Sequence, residues 1–265
     1  FTPAANYSGA ASFTYTVADG TGLTSTANVT GTVTAVPDAP LAQPDTFTTN
    51  EDTAVTVAVL ANDSDADGDT LTVTQVNGSA ITAGGAAVAV TNGSVVLTTA
   101  GELVFTPAAN YSGAASFTYT VADGTGLTST ANVTGTVAEV NDPPINTMPT
   151  STAALSMNED GENNLGAVTG PIVFSSARST AISVGDADSG DTLTTVITVT
   201  NGSFTVGSRS VAGVEVRNNG SASVTLIGTA AAITAALEGS TYVNAADFNG
   251  SATLTVRSTD QIGRA

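Results

Sequence analysis

FTPAANYSGAASFTYTVADGTGLTSTANVTGTV at residues 1–33 recurs without a single change at residues 105–137, a period of 105 − 1 = 104 residues. Identity at alternating apolar and polar positions alike marks one module copied in tandem, and a unit of roughly 100 residues has the size of one β-sandwich. A third, diverged copy lies further along, because Tyr242–Asp260 (YVNAADFNGSATLTVRSTD) aligns without gaps on Phe105–Asp123. Phe248 meets Tyr111, Gly250 meets Gly113, Leu254 meets Phe117 and Asp260 meets Asp123, so aromatic, turn and carboxylate positions are kept. The tripeptide NED, at Asn50–Asp52 and Asn158–Asp160, is a second anchor.

Working outward, boundaries fall at Pro37-Asp38-Ala39-Pro40 and Asn141-Asp142-Pro143-Pro144, where proline removes backbone donors and ends the preceding strand. Residues 1–36 are read as the C-terminal part of one sandwich repeat. Residues 37–141 form a complete repeat, and residues 142–265 a longer, diverged repeat that stops before its last strand. The chain is expected to begin and end within modules, with no signal peptide or transmembrane run.

The fold class is all-β: tandem immunoglobulin- or cadherin-like Greek-key sandwiches. Val55, Val57 and Val59 alternate with Thr56 and Ala58, and Phe117, Tyr119 and Val121 with Thr118 and Thr120, giving one core face and one threonine-rich face. Asn77-Gly78, Asn92-Gly93, Asp123-Gly124, Asn201-Gly202 and Asn249-Gly250 punctuate these runs as hairpin turns, for roughly seven strands per module. The turns also account for most of the sequons at Asn28, Asn77, Asn92 and Asn201. Thr229–Leu237 reads equally as one helical crossover turn or an alanine-rich strand. The aromatic group Phe105, Tyr111, Phe117 and Tyr119 is assigned to the core and not to a sugar-binding platform.

Composition excludes whole classes of function. The chain has no His, Cys or Lys, which removes the usual general bases, thiol nucleophiles, Schiff-base lysines and preferred zinc ligands, so it is not expected to be an enzyme. Without cysteine there are also no disulfides, and a module of small residues with few aromatics needs another source of stability. The net charge is −18. All five basic residues are arginines at position 178 or later, whereas sixteen of the 23 acidic residues precede that position. Like charges without counter-charges stay solvated or bind cations, and nucleic acid and anionic membranes are poor partners.

The densest acidic run is Asn62-Asp63-Ser64-Asp65-Ala66-Asp67-Gly68-Asp69, just ahead of a strand. Hard oxygen ligands at alternate positions, with glycine at the turn, suit Ca2+. The run imitates an EF-hand loop for six residues only; Thr74 replaces the bidentate glutamate and strands flank the loop, so an EF-hand is rejected. Asp186-Ala187-Asp188-Ser189-Gly190-Asp191 is its counterpart in the third copy. Further carboxylates recur at Glu51 and Asp52 (again at Glu159 and Asp160), at Asp19, Asp123 and Asp260 in the Ala-Asp-Gly-like turn, and at Asp38 and Asp142 in the linkers. In a sandwich with termini at opposite ends, a linker aspartate, turn carboxylates of the preceding module and the early loop of the next are expected to converge on one junction.

NEDT at 50–53, VLANDSDADGDTLTV at 59–73, FTPAANYSGAASFTYTVADG at 105–124 and NDPP at 141–144 together resemble the tandem cadherin-like or immunoglobulin-like repeats of very large secreted bacterial proteins, RTX-type adhesins among them. The resemblance implies an extracellular, cell-surface stalk for cell adhesion or biofilm matrix, stiffened by Ca2+ at Glu51, Asp63, Asp65, Asp67, Asp69, Asp123 and Asp142, with Asp19 and Asp38 at the earlier junction. Partners implied are neighbouring repeats of the same chain. Two alternatives stand beside the stalk. The fragmentary ends suit a filament subunit joined to like subunits by strand complementation. The arginine-bearing third module suits a carbohydrate- or protein-binding role toward surface glycans through Arg178, Arg209 and Arg217.

Overall fold

A computed structural model describes residues 1–149, 162–163, 168–169, 171–188 and 190–260. They fall into two compact units, Phe1–Val140 and Asn141–Ala265. The chain is all-β, as its alternation requires.

In the first unit β1 (Gly9–Ala18) and β2 (Thr24–Val33) form a two-stranded hairpin. The sandwich follows, built from β3 (Asp45–Asn50), β4 (Val55–Val57), β5 (Thr72–Val76), β6 (Ser79–Ala80), β7 (Val88–Val90), β8 (Gly93–Leu97), β9 (Leu103–Pro107), β10 (Gly113–Ala122) and β11 (Thr128–Ala138). One sheet has the order β3-β11-β10-β5-β6, the other β4-β9-β8-β7. These are nine strands where about seven were expected, because the pairing of very short edges such as β6 leaves little trace in hydrophobic periodicity. All ladders are antiparallel except β3 with β11, which run parallel from Val133↔Asp45 to Ala138↔Asn50.

The core is where the two sheets meet. Phe117, Tyr119 and Val121 of β10 and Val133 and Val137 of β11 face Val57, Val95, Leu97, Leu103 and Phe105 of the opposite sheet. Phe105 is the centre of a three-ring cluster, 4.9 Å from Phe47 and 6.2 Å from Phe117 between ring centroids. Hairpins close at Asn77-Gly78 and Asn92-Gly93, where the asparagine takes the left-handed conformation (φ +48° and +63°), whereas Asn201-Gly202 (φ +54° at Asn201) and Asn249-Gly250, expected as hairpin turns, instead join strands of different sheets in the second unit. At Asp123-Gly124 the positive φ falls instead on Gly126 (φ +93°), because the Asp123 side chain organises that turn.

The second unit contains β12 (Ile145–Thr147), β13 (Glu162–Asn163), β14 (Val168–Thr169), β15 (Ile172–Phe174), β16 (Ser183–Gly185), β17 (Leu193–Val199), β18 (Gly202–Thr205), β19 (Val214–Arg217), β20 (Ser223–Gly228), α1 (Ala230–Leu237), β21 (Ser240–Asn244) and β22 (Leu254–Asp260). Sheets β19-β20-β17-β22 and β15-β21-β18 enclose a core of Phe174, Leu193, Ile197, Phe204, Leu226 and Leu237. Thr229–Leu237 thus resolves as a helix. Thr229 caps it by accepting from Ala232 N–H, and Ile233, Ala236 and Leu237, at i, i+3 and i+4, form its buried face. Thr234 on the same helix holds both the N–H and the C=O of Val184.

The repeated sequence supplies an internal control for packing. A Cβ on Gly135 in β11 would run into the ring of Phe47, whereas its identical counterpart Gly31 has nothing within 4 Å. Gly135→Ala is therefore expected to destabilise the first unit by about 1–3 kcal/mol through overpacking, and Gly31→Ala to shift it by less than about 0.5 kcal/mol, in chemical denaturation.

Candidate functional site

The acidic run sits between a short 3-10 turn at Val59–Ala61 and β5, at the pole of the sandwich where β3 begins and β10 ends. The strand register brings its parts together. Ala122 lies opposite Thr72, so Asp123 emerges beside the end of the loop. The linker returns to the same place: Leu41 and Ser64 exchange both backbone hydrogen bonds (2.7 and 3.2 Å), and Asp38 N–H donates to Asp67 Oδ2 at 2.7 Å.

Within the loop the aspartates have different tasks. Asp63 turns inward, where its carboxylate accepts from Gln43 N–H (2.8 Å) and from the buried Tyr119 hydroxyl (2.9 and 3.1 Å to its two oxygens). Asp65 Oδ1 accepts from Asp67 N–H (2.8 Å) and Asp69 N–H (3.3 Å), folding the loop over Gly68 (φ +78°), and its Oδ2 is buried with no hydrogen-bond partner. Asp123 Oδ1 accepts from Thr125 N–H and hydroxyl, Gly126 N–H and Leu127 N–H at 2.6–2.9 Å. Burial pushes the Asp123 carboxyl up, but the donors from Thr125, Leu127 and Gly126 outweigh it and hold the group below the ordinary carboxylate range. Asp123 is therefore ionised at neutral pH. It is only 8 % exposed, and its Oδ2 is a second buried oxygen without a partner.

Asp45, at the start of β3, is a further member of this pole that the sequence did not single out. Burial raises its pKa, and the neighbouring charge of Asp63 adds to the effect. Its Oδ2 is also buried without a partner. No spacing rule connects residue 45 with residue 63; the Tyr119 hydroxyl, which both carboxylates face, does.

Glu51 and Asp52 lie at the other end of β3, about 20 Å away at the usual rise per residue. Glu51 is buried, accepts from Val140 N–H and so ties down the last residue of its unit, while Asp52 Oδ1 accepts from Asn110 N–H at 3.1 Å. The anchor that recurs in sequence thus belongs to a different pole from the Asp63–Asp69 loop. Asp19 forms the same turn as Asp123, accepting from Thr21 and Leu23, and the Thr21 hydroxyl and N–H keep its pKa low. Glu159 and Asp160 lie outside the described residues.

The second unit repeats the linker–loop arrangement within itself. Asp142 N–H donates to Asp188 Oδ2 (2.6 Å) as Asp38 does to Asp67, Asp188 N–H donates to Asp186 Oδ1 (2.9 Å) as Asp67 does to Asp65, and Asp186 Oδ2, like Asp65 Oδ2, is buried without a partner. Asp260, opposite Leu193, accepts from the Asn141 amide at 2.6 Å. Burial, then the charges of Asp188, Asp260 and Asp191, raise the Asp186 pKa, so four acids act on one another at this pole. In both units the linker aspartate meets the loop of its own module.

The candidate donor atoms at both poles are all oxygens, the chemistry that would suit a hard cation. Among the described residues, however, no three carboxylates are grouped closely enough to make a ready cage. Of the arginines expected for recognition, Arg217 is engaged by Glu215 at 2.7 Å on the surface of β19, and Arg178 and Arg209 are exposed. A surface groove of about 440 Å³ over Thr46, Phe47, Thr48, Thr134, Gly135 and Thr136 carries no titratable group.

Residues 37–136 match a family described as bacterial Ig domain, and residues 1–34 match one described as cadherin-like domain. These matches support tandem Ig-like and cadherin-like repeats, modules that serve structural or adhesive roles and are typically not enzymes. No curated protein matches. Among solved structures, the protocadherin GammaB4 extracellular domain is similar at 18 % identity and a TM-score of 0.42 over 95 % of this chain and 35 % of that one. Protocadherin Gamma B2 extracellular cadherin domains 1–5 give 17 %, 0.40, 82 % and 37 %, and the human Desmocollin-1 ectodomain 12 %, 0.34, 90 % and 37 %. The chain spans little more than a third of each of these proteins.

Two substitutions probe the pole. Tyr119→Phe removes the donor to Asp63 inside the core and is expected to cost about 1–3 kcal/mol, whereas Tyr15→Phe, at the identical position of the exposed hairpin, costs less than about 0.5 kcal/mol by urea denaturation. Asp45 holds its proton more tightly folded than unfolded, so its ionisation destabilises the fold; the penalty is absent below the unfolded pKa of about 3.9 and complete above the raised folded value. Asp45→Asn is therefore expected to melt higher than the native chain at pH 7, with the two curves converging as the pH falls toward about 4.

Proposed function

We propose that the chain is a segment of an extracellular bacterial adhesin or matrix protein, of the RTX type that its motifs resemble, in which calcium stiffens a stalk of repeats used for cell adhesion or biofilm. The observation that carries this reading is Asp123: a carboxylate held ionised by four hydrogen bonds to one oxygen while the other is buried and unpartnered. A bound cation is the natural complement of such a group. In the first unit Asp38, Asp65, Asp67, Asp69 and Asp123 are the proposed ligands, and in the second Asp142, Asp186, Asp188, Asp191 and Asp260. Glu51, which holds the backbone next to the linker, is proposed for the opposite pole together with Asp52. Asp63 leaves the set, because both of its oxygens are committed to Tyr119 and one also to Gln43.

When bound, calcium would neutralise the mutual repulsion of these acids and join the linker, the loop and the end of β10 through one centre. The residues already hold the approach in place. Asp67 and Asp188 fix the linker N–H groups of Asp38 and Asp142, and Asp65 and Asp186 fold their loops around them. Linker order is thereby coupled to loop order, which is what a stalk under tension needs.

Extracellular modules bind calcium with Kd of about 10⁻⁴–10⁻³ M. Free ion at tenfold excess over Kd is expected to stabilise a unit by about 1.4 kcal/mol per site, raising its melting point by about 5–6 °C. Calorimetry of the whole chain with calcium and with chelator, beside an Asp65→Asn/Asp123→Asn variant, tests this. A calcium-dependent rise in the native chain that is lost in the variant is the expected result. Identical melts with ion and chelator would overturn the reading and leave the acids as solvated charge.

A further inference from the structure

The chain enters the sandwich of the first unit through β3 and leaves it through β11, and these two strands lie side by side in the one parallel ladder of that unit. Parallel pairing fixes how they can be pulled apart. Both strands start at the acidic pole and end at the opposite one, so tension on the chain draws β3 by its first residue and β11 by its last, in opposite senses along the strand axis. The six pairs from Val133↔Asp45 to Ala138↔Asn50 then share the load, whereas an antiparallel pair of entry and exit strands would open one bond at a time.

Side chains oppose both sliding and peeling of this pair. Phe47 sits over Gly135, where a Cβ would come within 2.4 Å of its ring, and the ring is buried 4.9 Å from that of Phe105. A slide of two residues sets the ring against Val133 or Val137, and a slide of one turns every side chain of β3 to the wrong face. At the entry, Ala42 N–H donates to Ser129 Oγ of β11 at 3.2 Å, and the Tyr119 hydroxyl donates to Gln43 O. At the exit, Glu51, the residue after β3, donates its N–H to Ala138 O at 2.9 Å, and its buried carboxylate accepts from Val140 N–H. A carboxylate only 5 % exposed needs its donors, so this charge-assisted bond resists release of the exit strand. We propose that β3–β11 is a shear clamp that carries tension through the module, with Phe47 in the Gly135 notch as the stop against sliding and Glu51 as the latch against peeling. That tension acts on the chain rests on the stalk reading; the clamp itself is built without calcium.

The chain has no cysteine, so cysteines introduced at exposed positions attach handles at known places. Val36→Cys/Val140→Cys in the full chain loads the ladder in shear, and Val36→Cys/Leu127→Cys opens it from its first pair; Val36, Val140 and Leu127 are all exposed. Both geometries load the entry contacts at Ala42 and Gln43, so the difference between them reports the ladder. Optical tweezers hold each chain at constant force in the presence of chelator, which keeps the outcome separate from that of the calcium melts. At a given force the shear pair is expected to survive at least about tenfold longer than the unzipping pair. Glu51→Ala is expected to shorten the shear lifetime at least about tenfold and the unzipping lifetime less than about threefold, because unzipping reaches the exit last. Equal lifetimes of the two geometries in the native clamp would overturn the proposal, and that comparison holds even where Glu51→Ala does not fold. So would a Glu51→Ala loss of equal size in both geometries, since the residue would then stabilise the fold without guarding the exit of β11.

Discussion

The buried hydrogen bond between Tyr119 and Asp63 is the constraint on which the first unit depends. Tyr119 lies in the middle of the long strand β10, yet its hydroxyl reaches Gln43 O, Val59 O and both oxygens of Asp63. One side chain thereby ties the sheet to the linker-proximal segment before β3, to the 3-10 turn and to the acidic loop. A phenol so placed cannot be left unpaired without a desolvation cost, and a carboxylate so placed cannot be left without donors. Each makes the other's burial tolerable. Burial, then the Asp63 hydrogen bond and charge, drive the Tyr119 pKa well above its ordinary value, so the hydroxyl remains a donor throughout the physiological range.

With Asp63 committed inward, the rest of the loop is presented outward at a known place. Asp65 uses one oxygen to fold the loop, Asp67 one to hold the linker, and Asp123 one to build the turn at the end of β10. The economy is the same each time: one carboxylate oxygen serves the backbone, and on Asp65 and Asp123 the other is left buried and unpartnered. The second unit repeats it at Asp186 and Asp188 with a loop of different sequence. Recurrence of an arrangement, beyond recurrence of residues, is what links the acidic excess to a task at the linkers.

The sandwich, the hairpin turns of the first unit and the core face of β10 were legible because each rests on a local rule, period-two alternation or turn-dipeptide geometry; the like dipeptides at Asn201 and Asn249 join strands of different sheets, which no local rule distinguishes from a hairpin. The helix Ala230–Leu237 was ambiguous, since an alanine run satisfies either period until Ile233, Ala236 and Leu237 find a core to enter. Within the acidic loop the residues were evident and their division of labour was not. Asp63 and Asp65 are indistinguishable by spacing, and only the reach of Tyr119 separates a core anchor from a residue that folds the loop.

What the sequence by itself determined is the repeat, the all-β alternation, the hairpin turns of the first unit and the absence of His, Cys and Lys chemistry, because these follow from residue identity and period alone. Tertiary structure decided the rest. It placed Asp45 and Asp63 against one tyrosine hydroxyl, sent Glu51 to the opposite pole, and gave identical aspartates different tasks, Asp63 anchoring the core and Asp65 folding the loop. Identical residues have identical propensities but not identical surroundings, and burial belongs to the surroundings.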